Sequence, residues 1–276
     1  MNLFSYLFLA ALFGSFGVQW LLLYRHRSHV SRHRGAVPAQ FRDKVPLEAH
    51  QKAADYTVAK SSLARIDLVI SVVLLLLWTL AGGLELVDRF WRGLDLSVIW
   101  TGTGVMLSIM LISSILDLPL SLYRTFVLEE KFGFNKTTVR VFMTDMLKNT
   151  VLTLLIGVPM LALILWLMDN AGEMWWLYVW MTWFGFSLFM MWFYPAFIAP
   201  LFNKFRPLDN VELRTRIEAL LTRNGFASQG IYVMDGSTRS THGNAYFTGM
   251  GSNKRIVFFD TLINELTHEE IEAVLA

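Results

Sequence analysis

The sequence predicts an α-helical polytopic membrane protein with five transmembrane helices and a small cytoplasmic α/β segment at its C-terminal end. Three observations predict it. Of 276 residues, 54% are hydrophobic and 14% aromatic, while only 17% are charged, against roughly 25% in an ordinary soluble domain. Five apolar runs approach the ~20 helical residues that cross a hydrocarbon core of about 30 Å. After Pro207 the composition turns soluble, with charges spread along the chain and turn residues between short patterned segments.

The apolar runs are Leu3 to Tyr24, Asp67 to Val87, Val98 to Leu116, Val151 to Met168 and Trp175 to Tyr194. The first lacks a charged n-region and a small-residue cleavage site, so it reads as a retained span rather than a signal peptide. Trp175 and Trp176 open the fifth run, as suits an interfacial aromatic belt. Lys and Arg number nine in residues 25–66, two in 88–97, five in 119–149, none in 169–173 and eight after 194. Because short cytoplasmic loops collect positive charge, this alternation places the N-terminus outside and the C-terminal segment in the cytoplasm. The expected organisation is a transmembrane domain, 1–206, with cytoplasmic loops 25–66 and 119–149, followed by a cytoplasmic segment, 207–276.

A net charge of +2 gives no case for nucleic acid, since topology already accounts for the basic residues. The densest run, RHRSHVSRHR at 25–34, reads as an anchor beside the first span, or else as a grip on anionic headgroups. His26, His29 and His33 within it share a helical spacing, which reads as a solvated juxtamembrane face, with a weak metal site as the alternative. With no cysteine, thiolate metal sites and disulfides are excluded. Ionisable residues within spans call for a functional hypothesis. Asp117, ahead of Pro119, fits either a helix end near water or a transporter's ion ligand; Glu85 lies near the outer end of the second run. Gly157 and Pro159 in the fourth run could mark a broken helix.

In the soluble segment, DNVELRTRIEALLTRNG predicts an amphipathic helix capped by Asp209 or Asn210. Its apolar face is Val211, Leu213, Ile217, Leu220 and Leu221, and Gly225 is the stop. GIYVMD predicts a strand. NAYFTGM and RIVFFD, joined by Gly251-Ser252-Asn253-Lys254, predict a hairpin. Some 70 residues make a marginal core, as domains of that size bury only about 60% of their unfolded surface. Another part of the chain should therefore pack on it, and the stretch Tyr123 to Lys148 is the candidate.

Thr267-His268-Glu269-Glu270 has the pattern of a capping box, Thr267 and Glu270 each serving the other's backbone N–H. This accounts for the carboxylates without a metal. His268 and Glu272 form an i, i+4 pair, too few ligands for zinc without a third. Ile271, Val274 and Leu275 are spaced to face a core.

TFVLEEKFGFNKTT (125–138), PLFNKFRPL (200–208) and GSTRSTHGNAYFTGMGSNKRIVFFDTLI (236–263) together resemble the type I CAAX prenyl proteases, integral-membrane zinc metalloendopeptidases. The resemblance implies that 207–276 is the first part of an α/β metallopeptidase domain, and that H-E-x-x-H follows directly after Ala276. It implies zinc as the cofactor of the complete enzyme, held by residues outside this chain, so that this chain contains no catalytic or metal residue and is inactive alone. It also implies that an edge strand beside the active-site helix pairs with extended substrate. Asn244, Ala245, Tyr246 and Phe247 match that segment and are the candidate substrate-binding residues. Tyr246 and Phe247 filling the hairpin core is the competing account. His242 reads as a polar loop residue, and Arg239 could meet an acidic group of the substrate.

The partners implied are the lipid bilayer, a peptide or protein substrate, prenylated or otherwise membrane-associated, and the C-terminal remainder of the same protein. A bacterial inner membrane or an endoplasmic reticulum location fits equally. The competing functions are a non-catalytic membrane scaffold or peptide-binding protein, and a transporter built on Asp117.

Overall fold

A computed structural model describes residues 2–226, 228, 230–249 and 254–275. The chain packs as two compact units, Met1–Phe132 and Gly133–Ala276, and among the described residues five helical stretches are long and apolar enough to cross a membrane. Their large apolar side chains are mostly exposed, which is stable only where the surrounding solvent is lipid.

In the first unit, α1 (Leu3–His33) begins where the Asn2 Oδ1 accepts the Ser5 N–H at 2.9 Å. It runs on through the basic stretch, which offers no glycine or proline before Gly35. α2 (Leu47–Thr79) starts after Pro46 and likewise extends well ahead of the second apolar run. Most of the expected loop 25–66 is therefore helix. The run to Val87 is not one span, because the chain turns at Gly82 (φ +83°), a conformation open to glycine. A separate helix follows, α3 (Gly83–Arg92). Glu85 lies on α3, where it faces Arg89 at 3.9 Å.

α4 (Val98–Tyr123) continues through Pro119. It passes into a π-helical stretch, Arg124–Glu129, and then the short turn α5 (Glu130–Phe132). The third span is thus longer than its apolar run, and Asp117 sits on an exposed stretch of an unbroken helix. Helices in this unit are stitched by indole donors: Trp91 Nε1 donates to Ser108 Oγ at 2.9 Å and Trp78 Nε1 to Ser113 Oγ at 3.1 Å. Such bonds and small interfacial residues do in lipid what apolar burial does in water. Trp91 lies so close to Gly104 that a Cβ there would meet the indole at 2.5 Å.

In the second unit, α6 (Val139–Asn170) is capped by Thr138 and runs unbroken past Gly157 and Pro159. α7 (Trp175–Phe193) passes through a second π-helical stretch, Tyr194–Ile198, into α8 (Ala199–Phe202). The sheet then begins with β1 (Phe205–Pro207), which the sequence reading missed: three residues ending on proline carry no strand signal. α9 (Val211–Arg223) forms as expected, with Asn210 as its cap and Gly225 at φ +65° after its end. β2 (Gly230–Met234), β3 (Ala245–Thr248) and β4 (Arg255–Phe259) complete the sheet in the order β1-β2-β4-β3. β3 and β4 pair antiparallel, as a hairpin requires, whereas β2 and β4 are parallel. The expected turn at Gly251-Ser252-Asn253 and the position of Ala276 lie outside the described residues.

α10 (Asp260–Glu265) and α11 (His268–Leu275) close the unit. One face of the sheet packs on α9 and α11 through Leu213, Ile217, Ile256, Phe258 and Ile271, all fully buried. Two apolar positions depart from expectation: Val211 is 75% exposed at the first turn of α9, and Val274 is 55% exposed on α11. A helix face has a finite width, and both residues fall outside the stripe that meets the sheet.

Replacing Gly104 by leucine should drive a side chain into Trp91 and cost roughly 1–3 kcal/mol, as overpacking does. Thermal unfolding in detergent should show a lowered midpoint. Gly157→Leu, where a Cβ meets nothing within 4 Å, is the control expected to leave it in place.

Candidate substrate-binding edge

The candidate residues lie at an edge of the sheet. β3 pairs with β4 on one side, and among the described residues no other strand of the sheet flanks it. The Phe259 N–H donates to the Asn244 carbonyl at 2.9 Å, which fixes the phase of the antiparallel ladder. Alternation then turns the N–H and C=O groups of Ala245 and Phe247 away from β4, toward the open edge. The Asn244 Oδ1 already accepts the Ala245 N–H at 2.9 Å. Asn244 itself stands just before the strand.

The side chains alternate as well. Ala245 packs on the buried core. Phe247, on the same face, is 51% exposed and meets Phe226 edge-on at 5.2 Å, so it does not fill the hairpin core. Tyr246 points to the other face, toward a small cavity of about 90 Å³ that it shares with Tyr194, Phe205, Tyr232, Arg255 and Val257. Burial raises the Tyr246 phenol above its ordinary range, and nearby Tyr194 adds to the effect. Its hydroxyl lies 3.9 Å from the Met234 sulfur.

The loop leading into β3 is fastened by residues far away in sequence. Arg239 makes a bidentate pair with Asp145 of α6 at 2.8 and 3.1 Å. It also donates to Asn203 Oδ1 at 2.7 Å and to the Phe202 carbonyl at 2.6 Å. The Arg239 fork is therefore spent inside the protein and is not offered to a ligand. Its carbonyl accepts from the Lys136 N–H and the Thr137 hydroxyl, both at 3.0 Å, and Thr241 N–H donates to the Phe134 carbonyl at 3.1 Å. His242 stacks on Phe134 with ring centres 4.3 Å apart. Residues 134–145, part of the stretch expected to support the small α/β segment, do support it. Sequence inspection could have paired Arg239 with Asp145 only by knowing the fold.

The capping box on α11 forms: Thr267 N–H donates to Glu270 Oε2 at 2.9 Å, and Glu270 N–H reaches the Thr267 hydroxyl at 3.4 Å. Arg216 of α9 gathers Glu212, Glu269 and Glu272 at 3.2, 3.0 and 3.7 Å, and so ties α11 to α9. His268 lies between Asn210 and Glu212, at 3.2 and 3.4 Å. Among the described residues no group of three His, Cys, Asp or Glu side chains could hold a metal ion. The side chains around His268 do not fit zinc, which takes three or four protein ligands.

Membrane helices that run directly into a small sheet define a polytopic membrane protein with an appended α/β segment. Comparison with known proteins specifies the class. A family model described as the CAAX prenyl protease N-terminal region, with five membrane helices, matches residues 26–204, and the model for peptidase family M48 matches 207–276. The chain belongs to the CAAX prenyl protease family, a family of M48 metallopeptidases, and is an integral membrane protein. It is 49% identical over 166 residues to CAAX prenyl protease 1 of Saccharomyces cerevisiae, covering 60% of this chain and 37% of that protein. It is 35% identical over 269 residues to the probable CAAX prenyl protease 1 of Schizosaccharomyces pombe, covering 93% of this chain and 57% of the relative. The crystal structure of S. mikatae Ste24p superposes with a TM-score of 0.87 at 36% identity, over 96% of this chain and 63% of that one. The chain thus spans well under two thirds of the length of its curated relatives.

Two outcomes follow from these contacts. Arg239→Lys retains the charge but not the fork, and should cost roughly 1.5–3 kcal/mol, the range for hydrogen bonds to charged groups; hydrogen exchange should rise across 236–244 before it rises in α9. Glu269 is held below the ordinary carboxylate range by its own backbone N–H first and by Arg216 next. A depressed folded-state pKa contributes stability that is present above the unfolded value near 4.3 and is lost as pH falls through the folded one. Proteolytic susceptibility of α11 should therefore increase on acidification below about pH 4.5, and Glu269→Gln should weaken that dependence.

Proposed function

We propose that the complete protein is a membrane-embedded zinc metalloendopeptidase that hydrolyses peptide bonds of prenylated or otherwise membrane-associated substrates. In this reading, residues 1–276 provide the membrane helices and the substrate-binding edge. The open edge of β3, in a chain of this family, is the observation that carries it. An extended peptide would add to β3 through the outward C=O of Ala245 and the outward N–H and C=O of Phe247, the Ala245 N–H being taken by Asn244 Oδ1 at 2.9 Å. Asn244 would fix the phase of the strand, and Tyr246 would sit under alternate substrate side chains.

Zinc, when bound, would polarise the scissile carbonyl and activate water near neutral pH. Its ligands belong to the remainder of the protein, so residues 1–276 alone are proposed to be inactive. α11 would lead into the metal motif, and the Arg216 cluster would set its direction. The distribution of basic residues supports an N-terminus outside and an α/β segment in the cytoplasm. Residues 1–206 would form a transmembrane domain, and 207–276 the start of a peptidase domain.

The test is hydrolysis of a farnesylated C-terminal peptide by the purified full-length gene product, with and without a chelator. Chelator-sensitive cleavage is expected, and none from residues 1–276. Phe247→Pro removes an outward N–H without touching the β4 ladder, and should lower kcat/KM by up to about tenfold, since a hydrogen bond is worth roughly 0.5–1.5 kcal/mol net. A full-length protein that binds zinc stoichiometrically yet cleaves no such peptide would sink the reading.

A further inference from the structure

The first unit contains a groove that the peptidase reading leaves without a role. It lies between α2 and the π-bulged end of α4, with a volume of about 450 Å³. Leu63, Leu120 and Leu128 are buried along it, while Ile66, Tyr123 and Val127 leave about half of their surface uncovered. The π-helical stretch Arg124–Glu129 supplies Val127 and Leu128. Such bulges are rare and concentrate at functional sites, because they shift side chains out of ordinary helical register.

The two helices run antiparallel here: Tyr56 bonds Glu129 at 2.7 Å, and deeper in the unit Trp78 bonds Ser113. Lys131 and Ala59 therefore stand at one end of the groove, and Leu120 and Ile66 at the other. Eleven residues at 1.5 Å each put Lys131 about 16 Å from Leu120 along the axis, close to half of a hydrocarbon core of about 30 Å. The groove is thus one leaflet deep. Its chemistry is graded in the same sense, with a cation at the mouth and uncharged side chains below.

The charges at the mouth favour a phosphate over a cationic headgroup. Asp55 lies near enough to Lys131 to feel its charge, but it is engaged by Arg34 at 2.6 and 2.8 Å. Glu129 accepts the Tyr56 hydroxyl, and Glu130 stands on the adjoining turn. Lys131 itself makes no ion pair within 4 Å among the described residues, and its ammonium rests 5.7 Å from the Phe132 ring centre. Lys60, 5.6 Å over the Tyr56 ring, adds a second cation next to Ala59. A lipid ammonium would meet carboxylates already engaged, whereas a lipid phosphate would meet Lys131 directly.

We propose that this groove is a binding site for one phospholipid, its phosphate on Lys131 and an acyl chain along Leu63, Leu120 and Leu128. The site is independent of the peptidase reading. The experiment uses the full-length gene product in mild detergent, native mass spectrometry, and two probes with identical acyl chains, phosphatidic acid and diacylglycerol. One phosphatidic acid per chain should survive desolvation, with at least tenfold preference over diacylglycerol. Lys131→Gln, a change at an exposed side chain, should cut that preference at least fivefold, and Leu63→Trp should exclude both lipids. Equal retention of the two lipids, an unaltered preference in Lys131→Gln, or displacement by millimolar inorganic phosphate would overturn the proposal. So would a wild-type protein that retains no lipid.

Discussion

A single guanidinium joins the α/β segment to the long helices of the second unit. Arg239 bonds Asp145 on α6, Asn203 beyond α8 and the last carbonyl of α8, while its own carbonyl is held by residues 136 and 137. Side chains of Arg239 and Asp145 are 28% and 20% exposed, so the pair is shielded enough to be geometrically fixed. Three points in sequence, near 140, 203 and 239, meet there. The sheet, the loop into β3 and the ends of two spans take their mutual positions from that meeting. Lysine has the charge but not the planar fork, which is why the position calls for arginine.

The two solvents of this protein impose different construction. In the spans, apolar side chains face outward, and specificity comes from small residues and indole donors, as at Gly104, Trp91 and Ser108. In the α/β segment the inverse holds: Ile217, Ile256 and Phe258 are inside, and arginine and glutamate pairs lie on the surface. Both π-helical stretches, Arg124–Glu129 and Tyr194–Ile198, fall near the end of a long span. Each borders a cavity, one taken here as a lipid site and the other lying beneath Tyr246.

What could be read in the sequence was local and periodic. The cap of α9 at Asn210, the stop at Gly225, the box between Thr267 and Glu270 and the hairpin pairing each arise from residues within a few positions of one another. Apolar run length located five spans but not their ends, because helices outlast the bilayer when the flanking residues are good helix formers, as at 25–33. The break at Gly82 was missed because hydropathy is blind to φ. β1 was missed because three residues carry no periodicity, and Val211 and Val274 because a spacing rule does not say how wide the covered stripe is. The candidate edge was legible only through resemblance; alternation alone could not distinguish an edge strand from a central one.

The strand order also has a temporal side. β4, the strand between β2 and β3, is the last of the four described strands to leave the ribosome, about twenty residues after β2, the strand it joins in parallel. Until Arg255–Phe259 emerges, β2 has only short β1 beside it, and Ile217 and Leu213 have no Phe258 to cover them. Parallel pairing across such a separation is slow compared with a hairpin. The membrane helices, already threaded, hold α8 and β1 in place during that wait. An anchored chain end shortens the search for partners, so the spans serve the sheet as a tether during synthesis as well as a foundation afterwards.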